Sequence, residues 1–240
     1  MLEGLRPKAF VMENVPGLLT FDGGKTLADV VGAAKRAGYR NARVVVVDAT
    51  SCGVPQRRKR VLVYGSTQGS LPDLGDGGQR RPAATVHEAI ADLPDPWLAI
   101  AEFERGSAVP YASPPSSYAR TLRGTARRVS RWEPVVHSEV IIEAYAATSP
   151  GKSDPRTKCY RLVDSQPART LRAGCKGRTA CRPIHPSEPR VITVREAARL
   201  QSFPDAYLLP APTSAAHRAI GNAVPPLLAE CVGERLRDSL

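Results

Sequence analysis

No run of about 18 uninterrupted apolar residues occurs in this 240-residue chain, so no membrane-spanning helix is expected. Its first residues, MLEGLRPKAF, lack the hydrophobic centre of a signal peptide. Aromatic residues make up only 5% of the chain, so a core has to be aliphatic, built from Val, Leu, Ala and Ile. Cysteines are five, an odd number, and none forms a C-x-x-C pair. Scattered as Cys52, Cys159, Cys175, Cys181 and Cys231, they argue against a disulfide framework and for reduced thiols in a cytoplasm. The same spacing, even with His185 nearby, gives no zinc signature, and no metal is expected. A repeat architecture is absent too: ARTLR recurs at 119–123 and 168–172, but two copies in an Arg- and Ala-rich chain read as coincidence.

Negative charge is in short supply, and unevenly so. The net charge is +11, with Arg outnumbering Lys 27 to 7. Residues 105–200 hold 18 Lys and Arg against 7 Asp and Glu, which accounts for the whole excess. A localised basic segment is the electrostatic footprint of a polyanion partner, most often nucleic acid. A solvated cationic face is the plainer alternative.

What is present reads first as α/β. Residues 9–12 (AFVM) predict a short buried strand, and TLADVVGAAKRAG (26–38) a helix, with Gly38 at its C-terminus. ARVVVVDA (42–49) and RVLVYGS (60–66) predict two further buried strands. Strand, helix, strand, strand fits the edge of an α/β sheet, with the basic loop TSCGVPQRRK at one end of it. From 67 to about 125 Pro, Gly and Ser accumulate around a short helix at 85–93, as in a loop-rich inserted domain. Thr193-Val-Arg-Glu196 has the form of a capping box, opening a helix from 194 to about 203 that ends before Pro204. A short helix, a break at Gly221-Asn222 and a final amphipathic helix with Pro225 or Pro226 in its first turn complete the chain. His217, just before that break, reads as structural.

Chemistry concentrates in a few short segments. Glu13-Asn14-Val15 ends the first apolar run, Gln56-Arg57-Arg58-Lys59-Arg60 precedes the third strand, and REAARLQSFPD (195–205) and GNAVPP (221–226) lie near the end. In this order, with a variable basic segment between the second and third, they resemble the C-terminal part of the DNA cytosine-5 methyltransferase family. ENV matches its Glu-Asn-Val motif, and Gln56, Arg58 and Arg60 match Gln-x-Arg-x-Arg. The C-terminal pair matches its last two motifs. The resemblance implies the C-terminal part of a Rossmann-like sheet at 1–66, an inserted, loop-rich target-recognition domain at 67–190, and C-terminal helices at 191–240 that return to the catalytic domain.

The family's chemistry assigns roles. A cysteine thiolate adds to C6 of a cytosine, and the resulting enamine attacks a methyl sulfonium from C5. Charge building on the ring is met at N3 by the Glu of ENV, which makes Glu13 the candidate proton donor, with Asn14 bracing its loop. Arg58 and Arg60 are expected at the base and its flanking phosphate, beside Gln56. The target has to leave the stack of duplex DNA. PARTLRAGCKGR (167–178) resembles the family's Thr-Leu turn and glycine-rich loop, so Thr170, Arg172, Lys176 and Arg178 are expected to contact DNA. Asn222 and Ala223 are expected to touch S-adenosylmethionine. The family's F-x-G-x-G cofactor loop and its Pro-Cys nucleophile have no counterpart in these residues. Three readings stay open: one part of a split enzyme with a complementing N-terminal half, a broken gene, or a DNA-binding remnant without catalysis.

Overall fold

The computed structural model describes residues 1–68, 70–75, 81–173 and 182–239. Its strands are β1 (Ala9–Asn14), β2 (Arg43–Asp48), β3 (Gln56–Arg57), β4 (Lys59–Ser66), β5 (Val109–Pro110), β6 (Arg128–Val129) and β7 (Ala168–Arg169). Its helices are α1 (Leu2–Leu5), α2 (Lys25–Arg36), α3 (Val86–Ile90), α4 (Pro96–Glu102), α5 (Ser117–Arg123), α6 (Glu139–Ala147), α7 (Val194–Leu200), α8 (Thr213–Asn222) and α9 (Pro226–Arg237). They form two compact units, one of residues 1–53, 58–82 and 227–240, the other of 54–57 and 83–226.

The first unit is built on a sheet of order β1-β4-β2, antiparallel throughout. The central strand is buried from Arg60 to Ser66. The outer strands are not buried as their apolar runs suggested. In β2 only Val47 is fully enclosed, while Val44 and Val46 are 38% and 36% exposed, and in β1 Val11 is 40% exposed. An apolar run does not distinguish a central strand from one with a single neighbour, and an edge keeps part of its surface open. Helix α2 closes at Gly38 (φ 103°), and Tyr39 then turns inward to hydrogen-bond Pro7 O at 2.7 Å. Helix α9 belongs to this unit: Arg235 Nη1 donates to Gly75 O at 3.1 Å, and Arg81 pairs with Glu230 at 3.0 Å.

The second unit carries the larger core, where α3, α7 and α8 contribute with Trp132 and Leu162. Helices α7 and α8 therefore cluster with the middle segment, and 227–240 alone of the C-terminal stretch joins the first unit. The physical reason is α7 itself, every residue of which is buried, with Val194, Ala197, Ala198 and Leu200 packed in that core. Its arginines are buried too. Arg199 donates to both oxygens of Asp205 at 2.6 Å and to Asp92 at 3.1 Å, and Arg123 adds a 2.7 Å bond to Asp92. Enclosed charges of this kind are tolerable only when paired and hydrogen-bonded.

The capping box at Thr193 forms as the sequence predicts, with Glu196 accepting from Thr193 N and Thr193 Oγ1 accepting from Glu196 N. The helix stops at Leu200, three residues early, because Ser202 turns left-handed (φ 64°). Glu196 also takes Arg190 at 2.8 and 2.9 Å. Burial raises its carboxyl, but the charge and hydrogen bonds of Arg190, the charge of His185 and the bond from Thr193 N together draw it down to about 2. A group depressed on folding lends stability above its unfolded value and loses it as pH falls towards its folded one. Glu196 thus contributes a few kcal/mol near neutrality that disappears between about pH 4.5 and pH 2. Urea midpoints at pH 6 and pH 3 should show Glu196→Gln less stable at pH 6, with a shallower acid loss than the parent.

The break predicted at Gly221-Asn222 comes as α8 ends at Asn222, and Gly221 has a further reason to be glycine. It lies inside α8, where an added Cβ would sit 2.6 Å from Ala173 N and 2.7 Å from Arg172 C. Backbone meets backbone there, so neither side can yield cheaply. Gly221→Ala should lower stability by about 1–3 kcal/mol in urea melts. Gly233→Ala on α9, where a Cβ meets nothing within 4 Å, should raise it by about 0.5–1 kcal/mol.

Candidate active site

Antiparallel pairing sets which chain ends share an edge of the sheet. Glu13 faces Leu62 and Asn14 faces Val61, while Val47 faces Arg60 and Asp48 faces Lys59. The carboxyl ends of β1 and β2 therefore meet the amino end of β4. Glu13 and Arg60, remote in sequence, come together here: Arg60 Nε lies 2.5 Å from Glu13 Oε1. The N–H is not aligned for a hydrogen bond, so the contact is an ion pair by proximity. Arg60 is anchored by Nη1 on Lys59 O at 2.8 Å. Its side chain is 8% exposed and that of Glu13 is 27% exposed, which leaves the carboxylate the more accessible partner.

Arg58 lies 1% exposed behind this pair. Burial, reinforced by the charge of Arg60 and opposed by that of Glu13, lowers its guanidinium to about 10, so it remains a cation at neutral pH. Asp48 holds its backbone in place. One carboxylate oxygen accepts from Arg58 N at 3.2 Å, Thr50 N at 3.1 Å and Thr50 Oγ1 at 2.9 Å, and Ala49 N donates to Arg58 O at 3.0 Å. Sequence reasoning passed over Asp48, although it ends VVVV as Glu13 ends AFVM, a carboxylate directly after an apolar run. Asn14 Oδ1 accepts from Val15 N at 2.8 Å, a local turn at the strand's end. Cys52 offers no nucleophile in this setting. Burial, with Cys231 beside it, pushes its thiol up to about 12, far from a thiolate at neutral pH.

The remaining predicted residues that the structure describes belong to the second unit. Gln56 is 0% exposed, and both ends of its amide are engaged. Nε2 donates to Leu200 O at 3.1 Å and Gln201 Oε1 at 2.5 Å, and Oε1 accepts from Leu171 N at 2.8 Å. Gln201 passes the chain on by donating to Ala223 O at 2.7 Å. Gln56 was expected to contact DNA, but in this arrangement it is a strut tying β3, the Leu171 segment and the end of α7 together. Thr170 Oγ1 donates to Arg57 O at 2.7 Å, beside the parallel β3–β7 pair. Arg172 and Asn222 are exposed. Lys176 and Arg178 lie outside the described residues, as do Cys175 and Cys181. Nothing in the sequence marked Gln201 as the partner of Gln56, because a buried Gln in a loop is written like a solvated one.

The family model for C-5 cytosine-specific DNA methylase matches residues 1–238. The Type II methyltransferase M.XorII of Xanthomonas oryzae pv. oryzae is 36% identical, over 98% of this chain and 60% of its own length. M.AgeI of Thalassovita gelatinovora is 31% identical, over 98% of this chain and 75% of its own. The chain thus spans less than two thirds of M.XorII. A solved structure described as a DNA modification methyltransferase encoded within a prophage (E. coli) superposes with TM-score 0.82 at 26% identity, covering 99% of this chain and 71% of that one. Entamoeba histolytica EhMeth, at 12% identity and TM-score 0.56 over 97% of this chain and 63% of its own, shares the fold. The chain belongs to the C-5 cytosine-specific DNA methylase family.

Proposed function

We propose that this chain is the catalytic-acid and target-recognition portion of a DNA cytosine-5 methyltransferase. It acts on a cytosine flipped out of duplex DNA, with a complementing N-terminal segment supplying the cofactor loop and the nucleophilic cysteine. The observation that carries the reading is the meeting of Glu13 with Arg60 at one end of the sheet, Arg58 buried beside them. Open α/β sheets bind ligands beyond strand carboxyl ends, and Glu13 stands at one. Oε1 lies next to Arg60, and in this reading the other carboxylate oxygen holds a proton at cytosine N3 as charge develops on the ring. Arg58 and Arg60 keep a fixed positive field at that position and can donate to the base O2. The names of the relatives, type II methyltransferases, support a role in DNA modification.

S-adenosylmethionine is the methyl donor that the family implies, and these residues alone do not make a site for it. Ala223 O is taken by Gln201, which leaves Asn222 as the polar group free to reach a cofactor at that turn. Cofactor binding is therefore assigned to the complementing segment. That segment would also cover the outer edge of β1, around which Leu5, Val11, Val15 and Phe21 are 75%, 40%, 52% and 64% exposed. Exposed apolar edges favour association.

Incorporation of labelled methyl groups into duplex DNA, with and without the polypeptide encoded upstream, tests the reading. Transfer should need both chains. Glu13→Gln, which keeps the shape but cannot carry the proton, should slow it about 10²–10⁴-fold. An unchanged rate would remove Glu13 from the chemistry, and duplex binding without transfer by the complemented pair would favour a DNA-binding protein without catalysis. Sedimentation of the isolated chain should show self-association that Val11→Lys reduces. A monomeric, cooperative melt of the unmodified chain would count against an uncovered edge.

A further inference from the structure

Strands β3 and β7 make a short parallel pair in which Gln56 lies opposite Ala168 and Arg57 opposite Arg169. Side chains alternate across a strand, and burial follows that alternation: Gln56 and Ala168 are enclosed, while Arg57 and Arg169 are exposed. The two arginines therefore stand side by side on the open face of one small sheet. Like charges in register on neighbouring strands repel. Neither guanidinium takes an ion pair or a hydrogen bond among the described residues, so no carboxylate there relieves the repulsion.

The pair is nonetheless firmly built. Beneath it Gln56 bonds to Leu171, Leu200 and Gln201. Ala168 N donates to Pro55 O at 2.8 Å, and Thr170 Oγ1 donates to Arg57 O at 2.7 Å. The Arg169 guanidinium lies over the ring of Tyr160, 3.8 Å from its centroid. Stacking occupies a face of the planar fork and leaves its in-plane N–H groups for a ligand. Tyr160 in turn pairs with Ser153, in a loop that presents Lys152, Arg156 and Lys158 to solvent. Asp154 is the sole acid of residues 149–160. It is 2% exposed, and its carboxylate is engaged by Thr157 N and Oγ1 at 2.5 and 2.6 Å. That loop thus shows cations at the surface and keeps its acid inside.

We propose that Arg57 and Arg169 clamp a single phosphate of the DNA backbone. A phosphodiester brings a negative charge and unesterified oxygens that accept from both forks, and it cancels the repulsion between them. The proposal rests on the reading above that the chain acts on DNA. It gives Arg57 a task apart from its buried neighbours Arg58 and Arg60: a contact that positions the duplex and reads no base. Thr170 serves the clamp by holding the backbone of Arg57.

The test titrates the full chain, complemented as above, with labelled duplex DNA at several salt concentrations. Arg57→Gln and Arg169→Gln should each weaken binding about tenfold. The double variant should bind little worse than either, because the same phosphate is lost in all three, and its slope of log affinity against log salt should fall by about one. The loss should be equal on duplexes of unrelated sequence, as a backbone contact requires. Arg57→Gln should melt in urea no earlier than the parent, since it removes a like-charge contact, and this separates lost binding from lost folding. Additive losses with a slope lower by about two would put the arginines on separate phosphates and overturn the clamp. A loss confined to one sequence would put them on base edges and overturn it too. Parent-like affinity and slope in both variants would overturn the clamp and leave the DNA reading standing, whereas no duplex binding by the parent itself would overturn both.

Discussion

The antiparallel register of β4 against both its neighbours is the constraint on which the catalytic end depends. It makes the last residues of β1 and β2 coincide with the first residues of β4, so Glu13, Asp48 and Arg60 arrive at one end of the sheet. A slip of β1 by one residue against β4 would turn every side chain of β1 to the opposite face and separate Glu13 from Arg60. The buried residues of β4, Val61 to Tyr64, fix the register, so packing in the middle of the sheet positions the charges at its end. Asp48 then closes the turn, with its carboxylate on Thr50 and on the backbone N–H of Arg58.

The motif Gln-x-Arg-x-Arg divides between two tasks. Gln56 bonds to Leu171, Leu200 and Gln201 inside the second unit, while Arg58 and Arg60 belong to the first. Two residues apart, the glutamine fixes backbone and the arginines supply charge. A full account of the motif thus needs a strut as well as two cations.

Much of this was legible in the sequence, for identifiable reasons. The capping box at Thr193 is local chemistry, with two side chains and two backbone N–H groups within four residues, and it formed as written. Helix α2 and the three sheet strands appeared within two residues of their predicted limits because their apolar spacing is strong. Burial of the strands was not legible, since it depends on how many neighbours each strand has. The break at Gly221-Asn222 was legible, since α8 ends at Asn222, but the approach of α8 to the backbone of Arg172 and Ala173 that Gly221 permits was not. The bonding partners of Gln56 come from distant stretches that only folding assembles.

The basic middle segment shows why charge counted along a chain overstates charge on a surface. Arg161, Arg190, Arg195 and Arg199 are each at most 4% exposed. Arg161 hydrogen-bonds the carbonyls of Tyr145, His185 and Pro186, and Arg199 joins Asp92 to Asp205. These cations organise a loop-rich unit poor in long strands, where carbonyls and carboxylates need donors that regular structure would otherwise provide. They are unavailable to a polyanion. The case for DNA binding therefore narrows to the cations left at the surface, Arg172 among them.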